Sequence, residues 1–289
     1  MYLNFYGFKE MPFNMTPDSR YFFESAKHTE ALSTLLYAIQ SRKGFVVVTG
    51  DIGSGKTTVC RTVLSRLDHK NVKTALITNT HISGRDLLTT LLEELGIESP
   101  SAHPSKARLL SALNTFLIEQ LRQDVNVVLI VDEAQNLKSA VLEEIRMLSN
   151  LETENEKLIQ IILMGQPELK QKLALSNLEQ LRQRIAVFFN LTPLSYEDIQ
   201  HYIKHRLKIA SGSDREYFSE GALDRICRFT KGVPRLINQI CDSALLNGFI
   251  YEKLLVDEKL MEEVIQESPT MQLGAGKQFA LEVLKIDRR

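Results

Sequence analysis

The sequence predicts an α/β fold, a buried parallel sheet of five strands with crossover helices, followed by a separate all-helical domain. Short β-branched runs, GFVVVTG at 44–50, TALITN at 74–79, VNVVLIVDE at 125–133, LIQIILMG at 158–165 and VFFNL at 187–191, alternate with helical patterns. That alternation is the mark of βαβ units. The runs VVLIV and IQIILM are apolar on both faces, as strands are when helices cover both sides of their sheet. After Thr192-Pro193 the strand signal stops and only helical patterns follow.

The connecting helices are expected at 57–67, at 85–95 stopped by Gly96, at 104–122 and at 139–148, each placed to make a right-handed crossover. Beyond Pro193 the helical segments are 196–209, 220–229, 234–249 and 257–266. Ser195 and Ser219 stand where N-caps belong, and Gly232 follows RFTK as a helix stop. The organisation expected is an α/β core at 1–192, a helical domain at 193–267, and a linker and tail at 268–289. Within the tail, FALEVLKI at 279–286 reads either as a short docking helix or as a frayed end.

Apolar residues are 44% and charged residues 25% of the 289, which excludes disordered, collagen-like and coiled-coil classes. A net charge of -1 gives no global positive field for nucleic acid or anionic lipid, leaving a local basic face open. Cys60, Cys227 and Cys241 are odd in number and form no C-x-x-C pair, against a disulfide framework or zinc site and in favour of a reducing compartment. The N-terminus has no signal-peptide pattern, and the longest apolar run, 127–131, is far short of a bilayer span. A cytoplasmic or peripheral chain is expected.

The strongest chemical signal is GDIGSGKT, which fits G-x-x-x-x-G-K-[ST] between a strand and a helix start. Gly50, Asp51, Ile52, Gly53, Ser54, Gly55, Lys56, Thr57 and Thr58 form the phosphate loop. Its glycines let backbone N–H groups point inward, and the helix adds its positive dipole end. Lys56 then neutralises the β- and γ-phosphates and Thr57 offers a hydroxyl to Mg²⁺. VVLIVDEAQ at 127–135 is an apolar strand ending in two acids. Asp132 is placed to hold Mg²⁺ through water, and Glu133 to polarise the attacking water. A carboxylate beside the metal-binding one points to hydrolysis of the nucleotide beyond binding it.

Gln166, after the strand IILMG, reaches the γ-phosphate or lytic water if that strand lies between the loop strand and the Asp132 strand; otherwise it is a solvated turn residue. Arg182 and Arg184 precede the fifth strand as either a finger across a subunit interface or salt-bridged surface residues. Arg235 sits in the first turn of a helix, where a cation opposes the dipole. It therefore either meets an anion or is solvated. The histidines show no metal-binding spacing. His201 and His205 lie one turn apart in YIKHRLK, read as a solvated face with a nucleic-acid contact as the alternative. Phe5, Tyr6, Phe8 and Phe13 read as core packing, with an adenine pocket near Thr16 and Pro17 as the alternative.

Together, the phosphate loop, DEAQ, GQPEL, paired arginines and GVPR resemble an AAA+ ATPase over about residues 1–266. More narrowly, FYGFKEMPFNMTPDSRYFFESAKHTEAL, GFVVVTGDIGSGKTT, VDEAQNL, GQPEL, LRQRI and GVPRLIN resemble the ExeA, or general secretion pathway A, family. The resemblance implies strand order 5-1-4-3-2, an ATP site at a subunit interface, and a helical lid. It also implies sensor and finger roles for Gln166, Arg182, Arg184 and Arg235. Family members in secretion carry, after the ATPase, a transmembrane segment and a peptidoglycan-binding region; neither is expected here, and direct cell-wall contact is not expected either. The function expected is a Mg²⁺-dependent ATPase, a homo-oligomeric ring such as a hexamer, driving assembly of a secretion or export system with an inner-membrane partner. The alternative is an ATP-dependent DNA-binding regulator of transposition, resembling the TniB and TnsC kind.

Overall fold

The computed structural model describes residues 2–272 except 17, 99, 100, 102 and 155. The chain runs through α1 (Tyr2–Tyr6), α2 (Ala26–Gln40), β1 (Phe45–Gly50), α3 (Lys56–Arg66), β2 (Val72–Ile77), α4 (Gly84–Glu94) and α5 (Lys106–Arg122). It continues with β3 (Asn126–Val131), α6 (Ser139–Leu148), β4 (Gln160–Gly165), α7 (Pro167–Leu173), α8 (Glu179–Arg182) and β5 (Val187–Leu191). The remaining helices are α9 (Tyr196–Ser211), α10 (Glu220–Thr230), α11 (Pro234–Ile250), α12 (Glu258–Gln266) and α13 (Pro269–Gln272). FALEVLKI lies outside the described residues.

The α/β unit comprises Ala26–Ile52 and Lys56–Thr192. Its five strands are all parallel, in the order β2-β3-β4-β1-β5, the expected 5-1-4-3-2 read from the other edge. Phe45, Val47, Val127, Leu129, Val131, Ile161 and Leu163 point to one core, which α4, α5, α6 and α7 complete with Leu87, Leu91, Leu109, Leu113, Leu142 and Leu169. The intervening Val46, Val48, Val128, Ile130 and Ile162 are buried as well. The sheet is thus covered on both faces, which is why its strands carry no polar alternation. α3 packs on β1, and α2 packs on α3 and β5.

Two buried amides fasten the amino ends of the central strands. Gln160 donates to the carbonyls of Ala38 and Lys43, both at 3.0 Å, while Asn126 donates to the Ile39 carbonyl at 3.0 Å and to Gln160 Oε1 at 2.6 Å. Satisfied in this way, polar side chains in a core specify a single register. They join β3 and β4 to the end of α2.

Among the described residues the helical unit comprises 2–25, Gly53–Gly55 and 193–272. Residues 2–25 therefore depart from the expected boundary, which placed them with the α/β core. The segment's described residues bring no strand to the sheet, and its aromatic side chains find their cover elsewhere. Tyr2, Tyr6, Phe8 and Phe13 are buried with Ile199, Ile203, Ile226, Ile237, Leu245 and Met261. Tyr2 Oη donates to Asp242 at 2.5 Å, and Lys9 N donates to the Ala210 carbonyl at 2.8 Å. Ser195 and Ser219 cap α9 and α10 by accepting from the Asp198 and Ala222 amides.

The α9 face read as solvated is in part buried. Arg206 is 7% exposed, donating to the Pro12 and Asn14 carbonyls and to Tyr202 Oη, with its guanidinium 4.6 Å from the Tyr21 ring centroid. His205 is half-buried against Phe23, and its Nε2 is buried with no hydrogen-bond partner among the described residues.

That placement has a pH consequence. Burial, followed by the charge of Arg206, holds His205 below its ordinary 6.5, against a smaller opposing contribution from the Phe22 backbone. Below pH 6.5 the unfolded chain therefore takes up a proton that the folded chain refuses, so this residue lowers stability as pH falls. In urea unfolding from about pH 7.5 to about 5, wild type should lose more stability than His205→Leu. Parallel curves would contradict the assignment.

Candidate nucleotide site

β1 ends at Gly50, and α3 begins at Lys56. The turn between them passes through Gly53 at φ 76° and Gly55 at φ 98°, backbone that a side chain disfavours. Asp51 and Ile52 are exposed, Ser54 is buried, and Thr57 and Thr58 are half-buried. Lys56 is buried, and its ammonium donates to two carbonyls of its own loop, Gly50 at 2.7 Å and Asp51 at 2.9 Å. Burial pulls its pKa below 10.5, with Glu133 and Asp132 opposing.

The carboxylates arrive from β3. Asp132 follows Val131, is 6% exposed, and accepts from Thr57 Oγ1 at 3.0 Å. The hydroxyl and carboxylate expected to share a metal are thus already adjacent, and both are hard oxygen donors of the kind Mg²⁺ selects. Lysine, threonine, aspartate and a glycine-permitted loop together fit a Mg²⁺-nucleotide. Glu133 has φ 53°, a left-handed backbone costing roughly 1–2 kcal/mol in a non-glycine residue. Strain of this kind collects where a side chain must be aimed.

β4 does lie between β1 and β3, the condition set for Gln166. Its Nε2 donates to Glu133 Oε2 at 2.9 Å. Gln135 joins the same group. Its Nε2 donates to Glu133 Oε2 at 2.5 Å, and its Oε1 accepts from the Gln166 amide at 3.0 Å. In the sequence Gln135 is only the last residue of DEAQ; its i, i+2 spacing from Glu133 across a short turn is the signal of this partnership that the sequence offers.

The three arginines are placed differently. Arg182 is exposed and donates to the Leu173 and Ala174 carbonyls at 3.3 and 3.2 Å, at the end of α7. Arg184 is half-buried and reaches the Ser149 carbonyl and hydroxyl at 3.5 and 3.4 Å, just past α6. Both meet helix C-termini, where a cation is favoured. Arg235 is exposed in the first turn of α11, and its amide donates to the Gly53 carbonyl at 3.2 Å.

A phosphate loop on β1, an acid pair on β3 and an amide on the intervening β4, in a chain with an all-helical second unit, define an AAA+ P-loop ATPase. The AAA domain family profile matches residues 39–173. General secretion pathway protein A of Aeromonas hydrophila is 41% identical over 250 residues, 86% of this chain and 45% of that protein. The chain thus spans about half the length of that curated relative. Together these two matches support an AAA+ ATPase of the ExeA, or general secretion pathway A, family over the part of that relative which the chain spans. The ORC2 protein of Aeropyrum pernix shares the fold with TM-score 0.65 at 16% identity, over 92% of this chain and 74% of that one. Drosophila ORC bound to DNA gives TM-score 0.64 at 19% identity, over 94% and 67%. RuvB of Thermotoga maritima gives 0.57 at 16%, over 84% and 68%. Among the described residues no helix is long and apolar enough to cross a membrane.

The amide cluster leaves no room at the end of β4. A Cβ on Gly165 would stand 2.8 Å from Gln135 Oε1 and 2.9 Å from Leu169 Cδ2. Gly165→Ala should therefore cost about 1–3 kcal/mol through overpacking, read as a lower urea midpoint. An unchanged midpoint would show that Gln135 and Leu169 can move aside freely.

Proposed function

We propose that this chain is an oligomeric Mg²⁺-dependent ATPase whose turnover serves assembly of a secretion or cell-surface export system. The observation that supports hydrolysis is the convergence of Lys56, Thr57, Asp132, Glu133 and Gln166 at the carboxyl ends of β1, β3 and β4. The export role rests on the relative's description as a general secretion pathway protein, with a component of the inner membrane as the partner. The transposition reading gains no observation of its own.

In this mechanism Lys56 exchanges the neutral Gly50 and Asp51 carbonyls for anionic β- and γ-phosphate oxygens, a stronger set of bonds in which both partners are charged. Thr57 and Asp132 would hold Mg²⁺, which when bound supplies charge neutralisation at the phosphate oxygens. Glu133 accepts the proton of the attacking water, and Gln166 orients that water beside it. Arg182 or Arg184 completes the site of a neighbouring subunit, leaving the helix-end carbonyls it caps. Arg235 reports the phosphate state to the helical unit.

Three measurements test this reading. Lys56→Ala should weaken ATP binding by at least about tenfold, as removal of a charge-assisted contact implies. Glu133→Gln should keep binding and lose about 10²-fold or more of turnover; equal turnover in wild type and Glu133→Gln removes the catalytic assignment. An arginine acting in trans requires specific activity to rise with protein concentration, and a flat profile in a monomer would defeat that part.

A further inference from the structure

Glu133 has two carboxylate oxygens, and the chain treats them differently. Oε2 accepts from Gln135 Nε2 at 2.5 Å and from Gln166 Nε2 at 2.9 Å. Two donors on one oxygen use the lone-pair directions it has in the carboxylate plane. Oε1 accepts from neither amide. The orientation of the Gln135 amide is itself determined by chemistry. Its oxygen faces the Gln166 backbone N–H at 3.0 Å, and a main-chain N–H can only donate. The amide nitrogen must then face Glu133.

Gln135 is in turn held from two sides. Lys172 Nζ donates to the Gln135 and Leu137 carbonyls, closing the turn that carries it. The missing side chain of Gly165 gives the amide oxygen its space. This one side chain therefore ties the acid at the end of β3 to the backbone at the end of β4.

We infer that Gln135 is a positioning residue for Glu133, holding Oε2 so that Oε1 alone is presented as the oxygen that takes the proton of water. The inference rests on the reading that Glu133 activates water. Gln135 does not touch the reacting atoms and, as an amide, takes up no proton. A second consequence follows from the shared partner. Any displacement of Gln166 toward a phosphate disturbs the bonds from its side chain and its amide together, so Glu133 is loosened in the same movement.

The test uses the full chain with Gln135→Ala and Gln135→Glu. In Gln135→Ala, kcat should fall about 10- to 100-fold, the range typical when a supporting partner of an active group is removed, while KM for ATP and the affinity for ADP stay within about twofold. In the nucleotide-free protein the Gln166 amide should exchange its hydrogen at least about tenfold faster, because its acceptor is gone. Gln135→Glu keeps an acceptor for that amide but sets a carboxylate against Glu133. It should preserve the exchange rate and lose turnover at least as severely.

Unchanged Gln166 exchange in Gln135→Ala overturns the inference whatever the turnover. So does wild-type kcat in Gln135→Ala, or a loss of ADP affinity in step with kcat. Glu133→Gln measured in parallel separates the two levels. Full turnover there sinks the water-activation reading itself, whereas an inactive Glu133→Gln beside a fully active Gln135→Ala sinks only the positioning role. Should Gln135→Ala fold poorly, Gln135→Glu alone still decides, since retained turnover in it contradicts the proposal.

Discussion

The pairing of β4 with β1 on one side and β3 on the other is the constraint on which the site depends. In a parallel sheet all strands end on the same edge, and register fixes how far each one reaches. Thr49 stands beside Gly165 and Val131 beside Leu163, so Gly50, Asp132 and Gln166 emerge within a residue or two of one another. Place β4 at an edge and the amide is lost from the acid and the phosphate loop together. The buried faces enforce this order, since β4 is apolar on both sides and no edge position would cover it.

Much of this was legible in the sequence because its signals are local. The phosphate loop is contiguous, its Gly53 and Gly55 are required by positive φ, and strands apolar on both faces announce a covered parallel sheet. The acid pair could be located because it ends such a strand. What could not be read was any partnership made across the sheet. Gln135 and Gln166 are 31 positions apart, and nothing in either segment alone tells that one amide accepts from the other. Likewise the left-handed backbone of Glu133 leaves no trace in composition, as glutamate is not a residue that signals it.

The N-terminal segment was misplaced for a related reason. Its aromatic cluster was read correctly as core, but proximity in the chain suggested the wrong core. Anchors such as Asp242 for Tyr2, and Arg206 for the Pro12 and Asn14 carbonyls, lie roughly 200 residues away. Arg206 shows a second limit of pattern reading. Charged residues in a helix are assigned to solvent by default, yet this one is buried by carbonyls and aromatic rings, which supply lone pairs and π-faces in place of water.

The two ends of the sheet differ in kind. At the carboxyl ends stand an ammonium, two carboxylates and a strained backbone, all responsive to whatever charge arrives. At the amino ends Gln160 and Asn126 close a network of neutral amides. Such a network has no proton to lose and no monopole for salt to screen. It gives the sheet an electrically silent footing, indifferent to changes of salt that the charged groups at the other end feel. Whatever charge arrives at the carboxyl ends, the amino ends are built so as not to answer it.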